Sequence, residues 1–391
     1  MSRLCKKGFL SSYLDYTNNQ ESPELFHLWS AISILSNALN RKCFIDRGYY
    51  VCYPNQYIVL VSESARCKKT TAAEIAIKLY RKAEISSIIT EKITSASLSR
   101  HLHDEQVKTG SSSCFVFSGE LGTFLGADSY VSGLMLLITT LYGCPSEWEY
   151  RTKTQGVDNL KNVFINILGA TVPSWLGSMP SDMVEGGFSS RTLFIVQNIP
   201  RAPQPFPRIT EIAREIEGRL INDLKEISKI EGEFKLTQEA EAFFAEWYVR
   251  EYKEIDNKDP RVKAYYSRKG EHVMKLCMVL SASSGDDKVI RGFQVEQALI
   301  FFKQLEDTMP LAFRGVSFGA SVKHMERIIH QIGEAGGSIE HSALLRKNSL
   351  YLDRDELKSI METLNESNLI KIELNSSNSR KYYRLLEKRK K

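Results

Sequence analysis

Residues 57–71, Tyr-Ile-Val-Leu-Val-Ser-Glu-Ser-Ala-Arg-Cys-Lys-Lys-Thr-Thr, constrain this chain more than any other stretch. The β-branched apolar run Ile58-Val59-Leu60-Val61 breaks into small and polar residues, and Lys69-Thr70 then opens a helical run from Ala72 to Ala83. Strand, loop, Lys-Thr and helix is the layout of a nucleotide phosphate site. Backbone N–H groups and the helix N-terminus face the phosphates, the lysine neutralises charge, and the threonine hydroxyl ligates Mg²⁺. The candidate cradle is therefore Glu63, Ser64, Ala65, Arg66, Cys67, Lys68, Lys69, Thr70 and Thr71, with Thr70 as metal ligand. In the pattern G-x-x-x-x-G-K-[ST] the two glycines fall on Glu63 and Lys68. Shifting by one residue puts Lys69 where a hydroxyl is needed, so Lys69-Thr70 is the register adopted. The competing reading is a basic surface loop between a strand and a helix.

Strand-like runs recur at 85–90, 114–118, 163–170 and 191–197, with helical runs at 71–83, 94–108, 132–142 and 173–184 between them. Such alternation predicts an α/β layer with a mostly parallel sheet. Residues 1–50 read as an N-terminal helical segment, with Leu25, Leu28, Ile32, Leu35 and Leu39 on one face, and 51–207 as the α/β core. Pro200, Pro203, Pro205 and Pro207 mark the joint with a helical region at 208–315, and three short helices with a β-hairpin at 316–391 make a winged helix. A chain of 391 residues with 42% hydrophobic and 25% charged residues has room for these parts. Seven scattered cysteines without a C-x-x-C argue against a zinc site or a disulfide framework. No apolar run reaches the length of a membrane span and the N-terminus lacks a signal-peptide core, which predicts a soluble, cytoplasmic protein with no membrane partner. The net charge of +5 is a mild pointer to an anionic partner.

The strand Cys114–Ser118 runs into Gly119-Glu120, and a carboxylate there would polarise an attacking water. The Asp that often precedes such a Glu is replaced by Gly119. Thr171, leaving the next strand, would sense the γ-phosphate or hold the water; equally, it would cap the helix beginning at Pro173. Arg191 follows Gly186-Gly187-Phe188-Ser189-Ser190, and its guanidinium would either reach a neighbouring subunit's γ-phosphate or pair structurally with a nearby carboxylate. Arg268, Glu271 and Lys275 share a helix face, read either as a phosphate-sensing surface or as a solvated one. Residues 147–157 read as a hairpin bearing Tyr150, Arg151 and Lys153. In the C-terminal part the helix Leu352–Asn365 is too acidic for groove reading, whereas Lys371, Arg380, Lys381, Arg384 and Lys388–Lys391 suit phosphate contact through the wing. His101 and His103 are two residues apart and do not share a helix face, so a metal reading is rejected.

In that order, Lys69-Thr70, Glu120, Thr171, Gly187-Phe188-Ser189-Ser190-Arg191 and Ser267-Arg268-x-x-Glu271 resemble the AAA+/RecA-like, primase-associated helicases of phages and mobile genetic elements. The Ser-Ser-Arg loop and the Ser-Arg-x-x-Glu helix also look like those of the minichromosome-maintenance helicases. The resemblance spans roughly residues 20–310. It implies an AAA+/RecA-like P-loop core with a helical lid, ATP and Mg²⁺ as cofactors, a homo-hexamer, single-stranded DNA as partner, and a primase or other replication protein nearby. By the same resemblance Arg191 is an arginine finger acting in trans and Arg268 a sensor at a subunit interface. The hairpin would face a central channel, where Tyr150 stacks on a base while Arg151 and Lys153 contact phosphates. The expected function is an ATP-dependent DNA helicase or translocase in replication. The alternatives are a weakly hydrolysing initiator or loader switch, and a non-catalytic DNA-binding regulator on an ATPase scaffold.

Overall fold

The apolar runs ending near Val61, Ser118, Thr171 and Val196 become neighbouring strands of one sheet. The structure is a computed structural model and describes residues 2–90, 92–125, 133–152, 156–177, 179, 187–259, 262–313, 319–349, 352–367, 369–374 and 380–386. The first nine strands are β1 Cys43–Asp46, β2 Val51–Cys52, β3 Tyr57–Val61, β4 Ile88–Ile89, β5 Ser113–Ser118, β6 Glu147–Thr152, β7 Gly156–Lys161, β8 Phe164–Thr171 and β9 Thr192–Val196. Five of them form an all-parallel sheet in the order β4-β5-β8-β3-β9. Every residue of β3, β8 and β9 is buried, which is why these strands read as unbroken apolar runs rather than alternating ones. The register sets Val61 opposite both Thr171 and Val196, and Ser118 opposite Gly169. The strand carrying Thr171 therefore lies between the strand feeding the Lys-Thr loop and the strand feeding Glu120.

Residues 1–314 form one compact unit. The helix Glu24–Leu39 has all but its first two residues buried and packs against β3, β8, β9 and the helix Lys69–Ala83. Asn166 of β8 ties this helix to the sheet: its amide donates to Ser33 O (3.0 Å), and its carbonyl accepts from Ser36 Oγ (3.0 Å) and from Gln56 N (2.8 Å). The N-terminal helical residues thus share the core of the sheet. Further on come the helices Glu211–Ile227, Gln238–Lys253, Lys263–Ser284 and Gly292–Glu306, of which Thr210 and Thr237 N-cap the first two through their hydroxyls. Short strands tie this region back: β10 Gly232–Glu233 pairs with β1, and β11 Lys235–Leu236 pairs with β12 Val289–Ile290.

The second unit, residues 315–391, has its own core around Ile328, Ile332, Leu344, Leu357, Leu364 and Tyr383. It contains the helices Gly319–Glu334, His341–Asn348 and Arg354–Glu366 and a three-stranded antiparallel sheet, β13 Ser338–Glu340, β15 Lys381–Leu385 and β14 Ile370–Leu374 in that order. The hairpin was legible; β13, only three residues long and directly after the Gly336-Gly337 turn, was too short to show a period. Asp353 and Glu356 form a capping box at the start of the last helix, so part of that helix's acidity serves its own N-terminus. Among the described residues no helix is long and apolar enough to cross a membrane.

Candidate active site

The Lys-Thr loop closes one side of a 510 Å³ cleft lined by Gln20, Glu21, Ala65, Lys68, Lys69, Thr70, Thr71, Gln204 and Pro207. The helix Lys69–Ala83 points its N-terminus here, and no side chain caps it, so its first amides remain available to an anion. Lys69 is only 7% exposed, and its ammonium makes no hydrogen bond or ion pair among the described residues. Its stem is buried in the cleft wall, and an anion entering the cleft would supply the counter-charge that its ammonium lacks.

The cradle differs in detail from the sequence expectation. Ala65, Lys68, Lys69, Thr70 and Thr71 line the cleft, whereas Glu63, Ser64 and Arg66 are exposed outside its lining and Cys67 is buried beneath it. The left-handed backbone falls on Ala65 (φ 60°) and Lys68 (φ 46°) and not on Glu63. The conformational penalty of the missing glycines therefore sits at Lys68 and Ala65, at about 1–2 kcal/mol each. The negative charge at the cleft is Glu21, which pairs with the Lys68 ammonium, and this contact holds its carboxyl below the usual range. No local pattern could have revealed Glu21, because it reaches the loop from 47 positions away.

Three predicted residues meet at the adjoining strand ends. Thr171 Oγ1 donates to Glu120 Oε1 (3.3 Å), and Thr70 Oγ1 donates to the Gly119 carbonyl (3.2 Å). Thr171 is wholly buried, while Glu120 is exposed and can reach solvent. Thr171 orients this carboxylate and does not cap the helix Pro173–Gly177. A Cβ added at Gly119 would stand 3.0 Å from the Thr70 methyl, so the missing Asp and the position of Thr70 are two sides of one packing solution. Trp175 packs so closely on Gly122 that a Cβ there would be 2.7 Å from its ring, which locks the turn after Glu120 to the helix after Thr171. A divalent cation of the Mg²⁺ class takes oxygen ligands and keeps several waters, which the Thr70 hydroxyl beside the cleft and the Glu120 carboxylate fit. No cluster of three or more His, Cys, Asp or Glu exists among the described residues.

Arg268 belongs to a different cleft, of 480 Å³, lined by Arg47, Tyr50, Cys52, Phe244, Tyr248, Ser267, Arg268, Gly270, Glu271 and Met274, and Arg191 lines neither cleft. The two clefts share no lining residue. Arg191 ends the one-turn helix Gly187–Arg191; its Nη1 donates to Gly187 O (2.7 Å), and its Nε is buried without a partner. Burial, then the nearby Arg268 charge, pushes its pKa down. Gly187 is required by packing, since a Cβ would lie 2.6 Å from Thr139 and 2.8 Å from Arg191.

The helix Lys263–Ser284 holds this loop through a buried network. His272 Nε2 contacts Ser190 O (3.0 Å), and burial pushes the His272 pKa down to about 4, so the ring is neutral and donates. Lys275 is 2% exposed, donates to Asn55 Oδ1 (2.6 Å), pairs with Glu271 (3.2 Å) and lies 4.0 Å over the Tyr142 ring. Burial opposes its charge, but Tyr142 and Glu271 outweigh burial and hold its pKa above the usual lysine range. Burial likewise raises Glu271, and Lys275 with His272 and Arg268 more than reverses it. The solvated-face reading therefore fails for Lys275; it applies only to Arg268, which pairs with Glu271 at 3.3 Å.

The expected hairpin is β6–β7, paired from Glu147↔Lys161 to Thr152↔Gly156. It is docked on the helix Ser95–Thr109 by Tyr150 OH to Ser95 Oγ (3.2 Å), Arg100 to the buried Asp158 (3.0 Å) and His103 Nδ1 to Asn159 O (3.0 Å). His103 thus has a structural role. Tyr150 stacks on Trp148 within its own strand, and Arg151 pairs with Glu149 (2.7 Å) on the surface. Lys153 lies outside the described residues. In the second unit Arg380 and Arg384 are exposed and pair with Glu340 (3.3 Å) and Glu373 (3.7 Å), while Lys381 lies over Tyr383; Lys388–Lys391 lie outside the described residues. All seven cysteines are free and buried. Comparison with models of known protein families finds no match, and comparison with curated proteins finds no significant match.

Proposed function

We propose that this chain is an AAA+/RecA-like ATPase that couples ATP hydrolysis to movement on single-stranded DNA, a helicase or translocase serving replication of a phage, plasmid or genomic island. The observation that carries the reading is the buried, unpartnered Lys69 at an uncapped helix N-terminus, beside strand ends that bring Thr70, Glu120 and Thr171 together. In this reading Lys69 and the first helical amides hold the β- and γ-phosphates. Bound Mg²⁺, held by Thr70 and water, supplies charge neutralisation on the phosphate oxygens. Glu120 accepts the proton of the attacking water, and Thr171 fixes which way that carboxylate faces. Arg268, lining a second cleft, and Arg191 would serve the nucleotide of an adjacent copy in a homo-hexameric ring, since neither lines the Lys69 cleft of its own chain. The docked β6–β7 hairpin would contact DNA through Arg151 and Lys153. The second unit would act as a winged helix that contacts DNA phosphates through Arg380, Lys381 and Arg384. A primase would have to come from another protein.

A second reading, a nucleotide-dependent switch with little turnover, is favoured by one feature. Gly119 leaves the Thr70 hydroxyl on a carbonyl where a carboxylate would strengthen the metal site. The deciding experiment is ATP hydrolysis with and without single-stranded DNA, beside Lys69→Ala and Glu120→Gln. DNA-stimulated turnover lost in both variants supports the motor. ATP binding without turnover supports the switch. Binding unaffected by Lys69→Ala refutes both.

A further inference from the structure

The strap 198–209, which joins β9 to the helix Glu211–Ile227, borders the phosphate cleft through Gln204 and Pro207. It has neither helix nor strand, and residues 202–209 are all exposed, Phe206 at 83%. Polar ties rather than apolar burial therefore hold it. Arg201 is fixed several times over: its backbone N–H donates to Glu21 O (2.8 Å), and its guanidinium donates to Thr17 O (3.0 Å) and Glu24 Oε2 (2.8 Å). At the far end Asn19 Nδ2 donates to Arg208 O (3.0 Å). Between them stand prolines at 203, 205 and 207, which have no N–H to donate. Among the described residues, 202–207 make one hydrogen bond, from Gln204 N to Glu21 Oε1 (2.8 Å). The other oxygen of that carboxylate, Oε2, pairs with the Lys68 ammonium. Lys68 first, and the Gln204 amide second, hold the carboxyl below its usual range, so it is charged near neutrality.

One carboxylate thus joins the Lys-Thr loop to the strap, and it does so from a residue that lines the cleft itself. The Glu21 side chain is 20% exposed and that of Lys68 49%, and a pair this solvated is weak enough for a stronger anion to break. A polyphosphate entering the cleft competes for Lys68 and repels the carboxylate at the same time. A carboxylate turned away from the cleft gives up the Gln204 N–H as well. We propose that Glu21 is an acidic latch: in the nucleotide-free chain its carboxylate holds Lys68 in place of phosphate and fastens the strap at Gln204, and an entering polyphosphate displaces it and frees the strap. The latch rests on the Lys69 cleft being the phosphate site of the proposed function, and it adds how that site is restrained and how its filling is signalled. Only the open form leaves Lys68 to phosphate, so the closed latch lowers apparent nucleotide affinity in proportion to the open fraction.

The test is calorimetric binding of a non-hydrolysable ATP analogue with Mg²⁺, and of inorganic tripolyphosphate, to the full chain. Glu21→Gln keeps the shape and an acceptor oxygen for the Gln204 N–H but removes the charge. It is expected to bind both ligands roughly three- to tenfold more tightly than wild type. Glu24→Gln removes a nearby charge that does not line the cleft and is expected to change affinity by less than about twofold. All seven cysteines are buried, so Phe206→Cys supplies one accessible thiol for an environment-sensitive dye. Its emission is expected to shift with either ligand when Glu21 is present, and to shift far less beside Glu21→Gln, whose amide phosphate does not repel. Equal or weaker binding by a Glu21→Gln chain that melts like wild type overturns the latch. So does a silent dye on a chain that binds ligand, or a gain as large from Glu24→Gln. Nucleotide binding that is lost in Lys69→Ala but unchanged in Glu21→Gln overturns the latch and spares the nucleotide reading. Tripolyphosphate binding that Glu21→Gln tightens, with no binding of the ATP analogue, spares the latch and overturns the nucleotide reading.

Discussion

Replacing Thr171 with Val keeps the shape of a wholly buried side chain and removes one hydroxyl. That hydroxyl donates to Glu120 at 3.3 Å, a long contact to an exposed carboxylate. Hydrogen bonds to charged groups contribute about 1.5–3 kcal/mol when short and buried. The length and the solvent around Glu120 place this one near the lower end, at about 1–1.5 kcal/mol. If the contact sets the direction of the base in the transition state, kcat for ATP hydrolysis should fall roughly tenfold. Nucleotide affinity should stay unchanged, since Thr171 does not line the phosphate cleft. Because the effect passes through Glu120, Thr171→Val on a Glu120→Gln background should add almost nothing. The assay is steady-state turnover with saturating single-stranded DNA, with nucleotide binding measured separately. A full-size further loss on the Glu120→Gln background, or a loss of affinity with unchanged kcat, would refute the orientation argument.

Two further perturbations follow from the same geometry. Gly119→Asp should weaken nucleotide binding on its own, because the new Cβ crowds the Thr70 methyl at 3.0 Å, and adding Thr70→Ser should restore binding; equal affinity in single and double variants would contradict the packing account. His272 is neutral in the folded chain down to about pH 4 but takes up a proton near 6.5 when unfolded, so acidification from 6.5 towards 4 should cost about 1.4 kcal/mol of stability per pH unit. His272→Gln should flatten that slope in melting curves, and an unchanged slope would place the sensitivity elsewhere.

The strongest local signals sat where one segment satisfies itself. The β3 apolar run, the Lys69-Thr70 junction, the helix behind it and the β6–β7 hairpin are short-range patterns, and periodicity and turn chemistry show them without knowledge of neighbours. Glu120 and Thr171 were legible as strand-end polar residues, but not that one donates to the other, because that depends on strand order. The motif's two glycine positions fared differently for the same reason: Lys68 is left-handed as the count implies, whereas the other left-handed residue is Ala65 and not Glu63. The face bearing Lys275 read as phosphate-sensing or solvated, because helical spacing specifies a face and not what covers it. The sequence by itself determined that this chain has strands, a Lys-Thr loop between a strand and a helix, and charged residues at the strand ends. The tertiary structure alone decided which of them meet, that Glu21 reaches the loop and that Arg268 lines a separate cleft, because these contacts join residues tens to hundreds of positions apart that only a folded sheet and its covering helices bring together.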